Sequence, residues 1–265
     1  GNNIGEESTL VTCFPMRHTG RMGRTCSGQI KTLALSVPVS SLAFWAKHLE
    51  SHGFKPEFQE RFGEKLLHFA HPCGICYELV GIADDDRKPY STGVVPSGFG
   101  IRGTHGITVS VRELENSSEF MHYGWNGTKT HTDGLFTRYE VGNGGSGAII
   151  DYQVESNLPQ GSWAYGEGTV HHCAFEVADL DVQRNVKLHL EGLGYTDVSD
   201  RKDRGYFDSV YVRTPSGALF EATVSKPAGF TVDRPYESLG SSIQVPPQLG
   251  ARAQEIVAYL EPLKF

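Results

Sequence analysis

The sequence predicts an α+β fold assembled from tandem βαβββ modules, and three observations predict it. The chain nearly repeats itself, the repeat carries one helical stretch followed by short strands, and its strand ends recur with the same acidic residue. Residues 28–38 (Gly28-Gln-Ile-Lys-Thr-Leu-Ala-Leu-Ser-Val-Pro) match residues 168–178 (Gly168-Thr-Val-His-His-Cys-Ala-Phe-Glu-Val-Ala) in apolar pattern. The copies end alike, Pro72-Cys-Gly-Ile-Cys-Tyr-Glu78 against Pro215-Ser-Gly-Ala-Leu-Phe-Glu221. Internal repetition of this kind marks a supersecondary unit used more than once.

The elements between those ends follow in order. Ser41 to Phe54 parallels Val182 to Tyr195, with apolar residues at Leu42, Phe44, Trp45 and Leu49 at helical spacing. Gly53 and Gly194 stop both helices as left-handed caps. Two short strands come next, Leu66–Phe69 in one copy and Val210–Arg213 in the other, in a register that sets Arg61 on Arg204. A weaker third copy starts at Gly103-Thr-His-Gly-Ile-Thr-Val-Ser-Val111 and ends at Ala148-Ile-Ile-Asp151, with a helix expected around Glu113 to Tyr123.

The unit starts are spaced by roughly 65–75 residues. On that spacing residues 28–97 form a second module, 98–160 a third, 161–230 a fourth and 231–265 a C-terminal tail. Residues 1–27 read as the turn and last strand of an incomplete first module. In the tail, Val245-Pro-Pro247 should interrupt the chain before a short helix from Arg252 to Leu260.

Composition narrows the class. A net charge of −7 with no basic run gives no footprint for nucleic acid. No apolar stretch approaches the ~20 residues that span a bilayer, so no membrane partner is expected. No signal peptide is visible. Five cysteines are an odd number without a disulfide framework, which points to a reducing compartment and a cytoplasmic protein. Cys73-Gly-Ile-Cys76 has no second CxxC to complete a zinc site, and reads as one cysteine in a turn and one in the strand that follows.

The copies differ where chemistry could be installed. Lys31 and Thr32 become His171 and His172, while the final-strand acid stays as Glu78 and Glu221. Taken alone, His171-His172 could be two strand histidines, one buried and one exposed, since neighbours on a strand face opposite ways. Arg204 could be a loop ion pair with Asp200, Asp203 or Asp208.

Three stretches carry a resemblance: Gly168-Thr-Val-His-His-Cys-Ala-Phe-Glu-Val-Ala-Asp-Leu-Asp-Val-Gln183, Glu191-Gly-Leu-Gly-Tyr-Thr-Asp-Val-Ser-Asp-Arg-Lys-Asp-Arg-Gly-Tyr-Phe207, and Tyr211-Val-Arg-Thr-Pro-Ser-Gly-Ala-Leu-Phe-Glu-Ala222. The chain resembles the vicinal-oxygen-chelate superfamily (the glyoxalase, bleomycin-resistance and dioxygenase fold) and, within it, the ring-cleaving dioxygenases of the chlorohydroquinone and hydroquinone 1,2-dioxygenase type. The resemblance implies an Fe(II) site with His172 and Glu221 as metal ligands. The third ligand, a histidine of the first module, is absent from this chain. His105 aligns with His171 rather than with the ligand position, which Gly106 fills. His171, Arg204 and Tyr211 fall on catalytic positions beside the metal. Mn(II) is the alternative metal, since ligand preferences overlap. The partners implied are a small aromatic diol and O2, with a homo-oligomer left open. An extradiol catechol dioxygenase, a metal lyase and a non-catalytic small-molecule binder on the same fold are the alternative readings.

Overall fold

The computed structural model describes residues 1–2, 4–14, 21–90, 93–96, 98–161, 165–245, 247–258 and 260. Three βαβββ units follow one another. The first comprises β1 (Gln29–Pro38), α1 (Leu42–Ser51), β2 (Glu57–Arg61), β3 (Glu64–Ala70) and β4 (Cys76–Ile82). The second comprises β5 (Gly103–Val111), α2 (Glu115–Glu119), β6 (Thr128–Asp133), β7 (Phe136–Glu140) and β8 (Ile149–Val154). The third comprises β9 (Cys173–Glu176), α3 (Leu180–Gly192), β10 (Lys202–Asp203), β11 (Phe207–Arg213) and β12 (Leu219–Ser225).

Local chemistry sets the helix limits. α1 buries Leu42, Trp45, Ala46 and Leu49 along one stripe, packed on Val37, Leu67 and Leu79 of the sheet. It stops at Gly53, whose φ of +83° suits a residue without a side chain. α3 opens on Asp179, whose carboxylate accepts from the backbone N–H groups of Asp181 and Val182. In the middle unit the expected helix over 113–123 is a five-residue α-helix followed by a wide turn over Phe120–Gly124, closed by Trp125 N–H donating to Phe120 O. That turn carries both Phe120 and Met121 into the core.

The strands make two sheets. β1 and β5 pair antiparallel and join two units into one sheet of order β2-β3-β4-β1-β5-β8-β7-β6, while the last unit forms β10-β11-β12-β9. Within each unit the first and last strands are parallel neighbours at the centre. The largest core lies between the last two units, where Phe120, Met121, Tyr152, Leu190, Val212 and Phe220 meet.

Three expectations need correction. The described part of residues 1–27 forms no strand: Met22 and Ser27 make isolated bridges to Glu167 and Gln160. Within it, Ser8 O accepts from Thr104 N–H at 2.6 Å, so that carbonyl is taken up by β5 outside any ladder of the segment's own. The strand expected from residue 168 begins only at Cys173. In the tail, a 3₁₀ turn over Pro247–Arg252 precedes α4 (Ala253–Ala258), a shorter helix than expected; Pro246, Tyr259 and residues 261–265 lie outside the described residues. Among the described residues no helix is long and apolar enough to cross a membrane.

A reciprocal contact joins the first and last units. Gly28 and Gly168 are equivalent in the repeat, as are Cys73 and Ser216. A Cβ on Gly28 would lie 2.0 Å from Ser216 O, and one on Gly168 would lie 1.8 Å from Cys73 O. Both glycines have φ in the left-handed region, at +85° and +84°. Each unit thus rests its β-turn on the glycine that opens the other. Gly168→Ala and Gly28→Ala are each expected to cost about 2 kcal/mol or more, because strain and a backbone clash combine. Gly53→Ala, with a similar φ but open space around it, should cost only about 1 kcal/mol. Chemical denaturation of the three variants checks this; equal losses would remove the clash from the explanation.

Candidate active site

Strand register places an acid at the same point of all three units. Glu78 lies opposite Ala34 of β1 and His68 of β3. Asp151 lies opposite Thr108 of β5 and Arg138 of β7. Glu221 lies opposite Ala174 of β9 and Tyr211 of β11. All three acids are buried. A carboxylate in such a place needs a partner charge or several hydrogen bonds.

The first two units supply arginines. Arg61 donates to both oxygens of Glu78, at 3.1 and 2.5 Å. Arg138 donates to both oxygens of Asp151, at 2.8 and 3.0 Å. The arginines also cross between units. Arg138 reaches Glu64 at 2.8 Å, Arg61 lies over the Phe136 ring, and Arg138 over the Phe62 ring. His105 belongs to this cluster, with Nδ1 on Ser146 Oγ at 2.8 Å and Nε2 3.4 Å from Glu64. It stands apart from His172. Burial pushes the Glu78 carboxyl up, but His68 and Arg61 outweigh it and hold its pKa at about 2.

The last unit differs. Glu221 Oε2 faces His172 Nε2 at 2.9 Å, and no guanidinium pairs with it among the described residues. Burial raises the Glu221 pKa, yet the hydrogen bond and charge of His172 bring it below the ordinary carboxylate value. His172 precedes β9 by one residue, so the backbone there is not a regular strand. That is why His171 and His172 touch: their Nδ1 atoms are 2.7 Å apart and their rings perpendicular. Burial, the His172 charge and the Arg213 charge depress the His171 pKa, leaving its imidazole neutral.

Tyr211 and Arg204 complete the group. The Tyr211 ring stands edge-on to His172 with centroids 5.7 Å apart, and Arg204 Nε donates to Tyr211 Oη at 3.3 Å. The aspartates expected to compete for Arg204 are engaged elsewhere: Asp203 pairs with Lys226, and Asp208 lies 3.9 Å from Arg201. Asp200 is 3.5 Å from Lys187.

Three neighbours escaped the sequence reading. Tyr165 and Phe14 pack on the His171 ring at 4.9 and 6.1 Å between centroids; both sit in irregular segments without periodicity to flag them. Ser209 was readable, since it lies two residues before Tyr211 on the same strand face.

Two donors of suitable chemistry therefore converge, an imidazole nitrogen and a carboxylate oxygen. Among the described residues no group of three or more histidines, cysteines or acids has metal-holding geometry. The pair fits part of a metal site, and a third donor would complete the arrangement that nonhaem iron sites use.

Comparison with known proteins gives a consistent result. No family model matches the chain. The chain is 45% identical over 260 residues to the chlorohydroquinone/hydroquinone 1,2-dioxygenase of Sphingobium indicum, covering 97% of this chain and 80% of that protein. It is 31% identical over 268 residues to MhqO of Bacillus subtilis, assigned by name to the ring-cleaving dioxygenases, covering 100% of this chain and 82% of that protein. A solved Bacillus subtilis structure assigned by name to the dioxygenases superposes with a TM-score of 0.89 at 28% identity, covering 100% of this chain and 83% of that one. A glyoxalase I variant from Zea mays shares the fold, with a TM-score of 0.54 over 77% of this chain and 68% of that one at 13% identity.

The Glu78 cluster sets a pH dependence. Its carboxyl is held at about 2 against an ordinary 4.5. The stabilisation it gives is complete above pH 4.5 and is lost as pH falls toward 2. Glu78→Gln leaves a buried guanidinium facing an amide and is expected to cost about 3 kcal/mol at neutral pH. Urea unfolding should show that gap closing across the acid window, whereas a constant gap would contradict the assignment.

Proposed function

The chain belongs to the ring-cleaving dioxygenases of the vicinal-oxygen-chelate fold, and on that premise we propose that it opens a hydroquinone-type ring with O2 at an Fe(II) centre. The substrate class is a para-diol, with room for chlorinated or alkylated rings. Hydroquinone is the substrate named for the Sphingobium indicum relative. The observation that carries the reading is the His172–Glu221 pair, which stands where the other two units have arginine-locked acids.

His172 Nε2 and Glu221 Oε2 would hold the metal, with a histidine from a further βαβββ unit as third donor. The bound metal supplies a site where the aromatic diol and O2 can exchange electrons. The chain's own residues do the rest. With Nε2 turned to the metal, the His172 Nδ1–H donates to His171 Nδ1 at 2.7 Å and fixes both rings. His171 then keeps its proton on Nε2, as a donor toward a substrate oxygen. Tyr211 Oη, itself receiving a hydrogen bond from Arg204, is held beside His172 to donate to oxygen as negative charge builds there. The Tyr165 and Phe14 rings flank His171 and offer apolar surface for an aromatic ring.

Anaerobic reconstitution with Fe(II), followed by O2 consumption with hydroquinone and with catechol, tests the reading. Uptake with hydroquinone is the expected result. Uptake with catechol alone would assign an extradiol catechol dioxygenase instead. Absence of uptake with any diol, together with tight binding of a small molecule, would assign a binder. Parallel loading with Mn(II) identifies the working metal.

Variants separate the roles. His172→Ala and Glu221→Ala are expected to lose metal and activity while circular dichroism stays unchanged, since the same scaffold in the other two units has its acid paired with arginine. Tyr211→Phe should keep the metal and lower kcat by about 10²-fold, the scale of one lost oxyanion donor. Full activity with full metal content in either alanine variant would overturn the ligand assignment.

A further inference from the structure

We propose that Asp203 and Lys226 are positioning residues for the ring-cleaving reaction: with the tail turn that follows β12 they clamp the β10–β11 turn and so aim Arg204 at Tyr211. This role rests on the proposed function, in which Tyr211 donates to oxygen and Arg204 supports it. The repeat shows why a clamp is needed. In the first unit the equivalent arginine, Arg61, is buried and donates to both oxygens of Glu78. In the last unit the acid faces His172 instead, and Arg204 is exposed. Its guanidinium carbon lies 5.4 Å from the Tyr211 ring centroid, and Nε donates to Tyr211 Oη at 3.3 Å, a long hydrogen bond. A flexible side chain with one long bond is aimed mainly by the backbone that carries it.

That backbone has little support from its own sheet. β10 is two residues long and lies at the sheet edge, so only Lys202 opposite Ser209 and Asp203 opposite Asp208 pair it to β11. The corresponding strand of the first unit, β2, has five paired residues. A hairpin held by two pairs opens locally at low cost. Inside the turn, Arg204 N–H donates to Phe207 O at 2.7 Å, and Gly205 takes φ of +84°.

Contacts from the tail make up the difference, and they grip the turn on both sides of Arg204. Asp203 Oδ1 accepts from Gly205 N–H at 2.7 Å and from Lys226 Nζ at 2.6 Å, so one carboxylate ties the turn to the tail. Lys226 N–H donates to Tyr206 O at 2.9 Å. Tyr206 Oη donates to Asp233 Oδ2 at 2.5 Å. The Phe230 ring packs on Tyr206 and Phe207, with centroids 4.6 and 5.9 Å apart. Phe230 is covered in turn by the N-terminal segment, where a Cβ on Gly5 would lie 2.7 Å from its ring. The tail also starts from a fixed point, since Ser225 N–H donates to Glu176 at 2.7 Å.

The exposure of the central pair makes the clamp separable from the fold. Lys226 and Asp203 side chains are 31% and 67% exposed, and an ion pair that open to water adds little to global stability. Cutting it leaves the sheet and the His172–Glu221 pair in place and releases the turn. A small misplacement of a group that supports a hydrogen-bond donor is enough to slow a reaction.

Two arms test this. The first is a double-mutant cycle on the iron-loaded protein, read by O2 consumption with hydroquinone. Lys226→Glu sets a second carboxylate against Asp203 and is expected to lower kcat about fivefold, with KM and iron content unchanged. In an Arg204→Met background the same change should alter kcat by less than about twofold, because its effect passes through Arg204. Lys226→Arg keeps the charge and should hold kcat near the wild-type value. An unchanged kcat in Lys226→Glu, equal losses in both backgrounds, or loss of iron would overturn the positioning role. The second arm needs no turnover and uses NMR on the full chain before iron loading. The Arg204 Nε–H signal, assigned by its absence in Arg204→Met, is expected to exchange with water about tenfold faster in Lys226→Glu and at the wild-type rate in Lys226→Arg. An unchanged exchange rate in Lys226→Glu would overturn the clamp. Faster exchange in that variant, with no O2 uptake by the wild type, would remove the dioxygenase reading and leave the clamp on Arg204 standing.

Discussion

A carboxylate buried at the centre of each βαβββ unit must be neutralised, and much of the molecule is arranged around how each unit meets that demand. The charge is placed by strand register, on the last strand beside the first. Removing it from water without a partner would cost several kcal/mol. Two units answer with guanidinium groups, each making two hydrogen bonds to its acid. The arginines also touch the neighbouring unit through Glu64, Phe62 and Phe136. That sheet therefore closes on itself, with its central acids paired.

The last unit leaves the demand partly open. A single imidazole faces Glu221, and an imidazole can exchange its proton for a metal where a guanidinium cannot. The same backbone therefore serves as structural core in two places and as candidate metal centre in the third. The difference lies in a few side chains, with His172 in place of Thr32 and Gly106, and Tyr211 in place of His68 and Arg138. Function here is a local departure from a scaffold that folds on other terms.

Much of this was legible in the residues. The repeat gave the order of strands and helices, because apolar period and terminal glycines survive duplication even where identity does not. It also set Glu78 against Glu221 and Arg61 against Arg204. What was not legible has physical reasons. The third acid, Asp151, is neutralised by Arg138 from the neighbouring strand, a pairing that depends on register rather than on spacing in sequence. The strand alternation rule suggested opposite faces for His171 and His172, whereas the chain there is irregular and the rings meet. The N-terminal residues hold strand-like composition, yet the Ser8 carbonyl is engaged by β5 and Arg87. Long-range hydrogen bonding decided that segment, and no local pattern announces it.

The paired glycine–turn contact has a consequence for how such a protein can drift. Gly28 and Gly168 each make room for the carbonyl of the other unit's turn, so neither turn can lengthen or tilt without disturbing the start of its partner. The two halves are thus held to a common ancestry of shape long after their side chains have parted. Variation is steered away from those turns and toward surfaces that no copy leans on. Only Thr169 and Val170 separate Gly168 from the His171–His172 pair, so the most constrained joint of the scaffold adjoins its most specialised residues. Inherited geometry at the joint is what lets the neighbouring positions change their chemistry without losing their place.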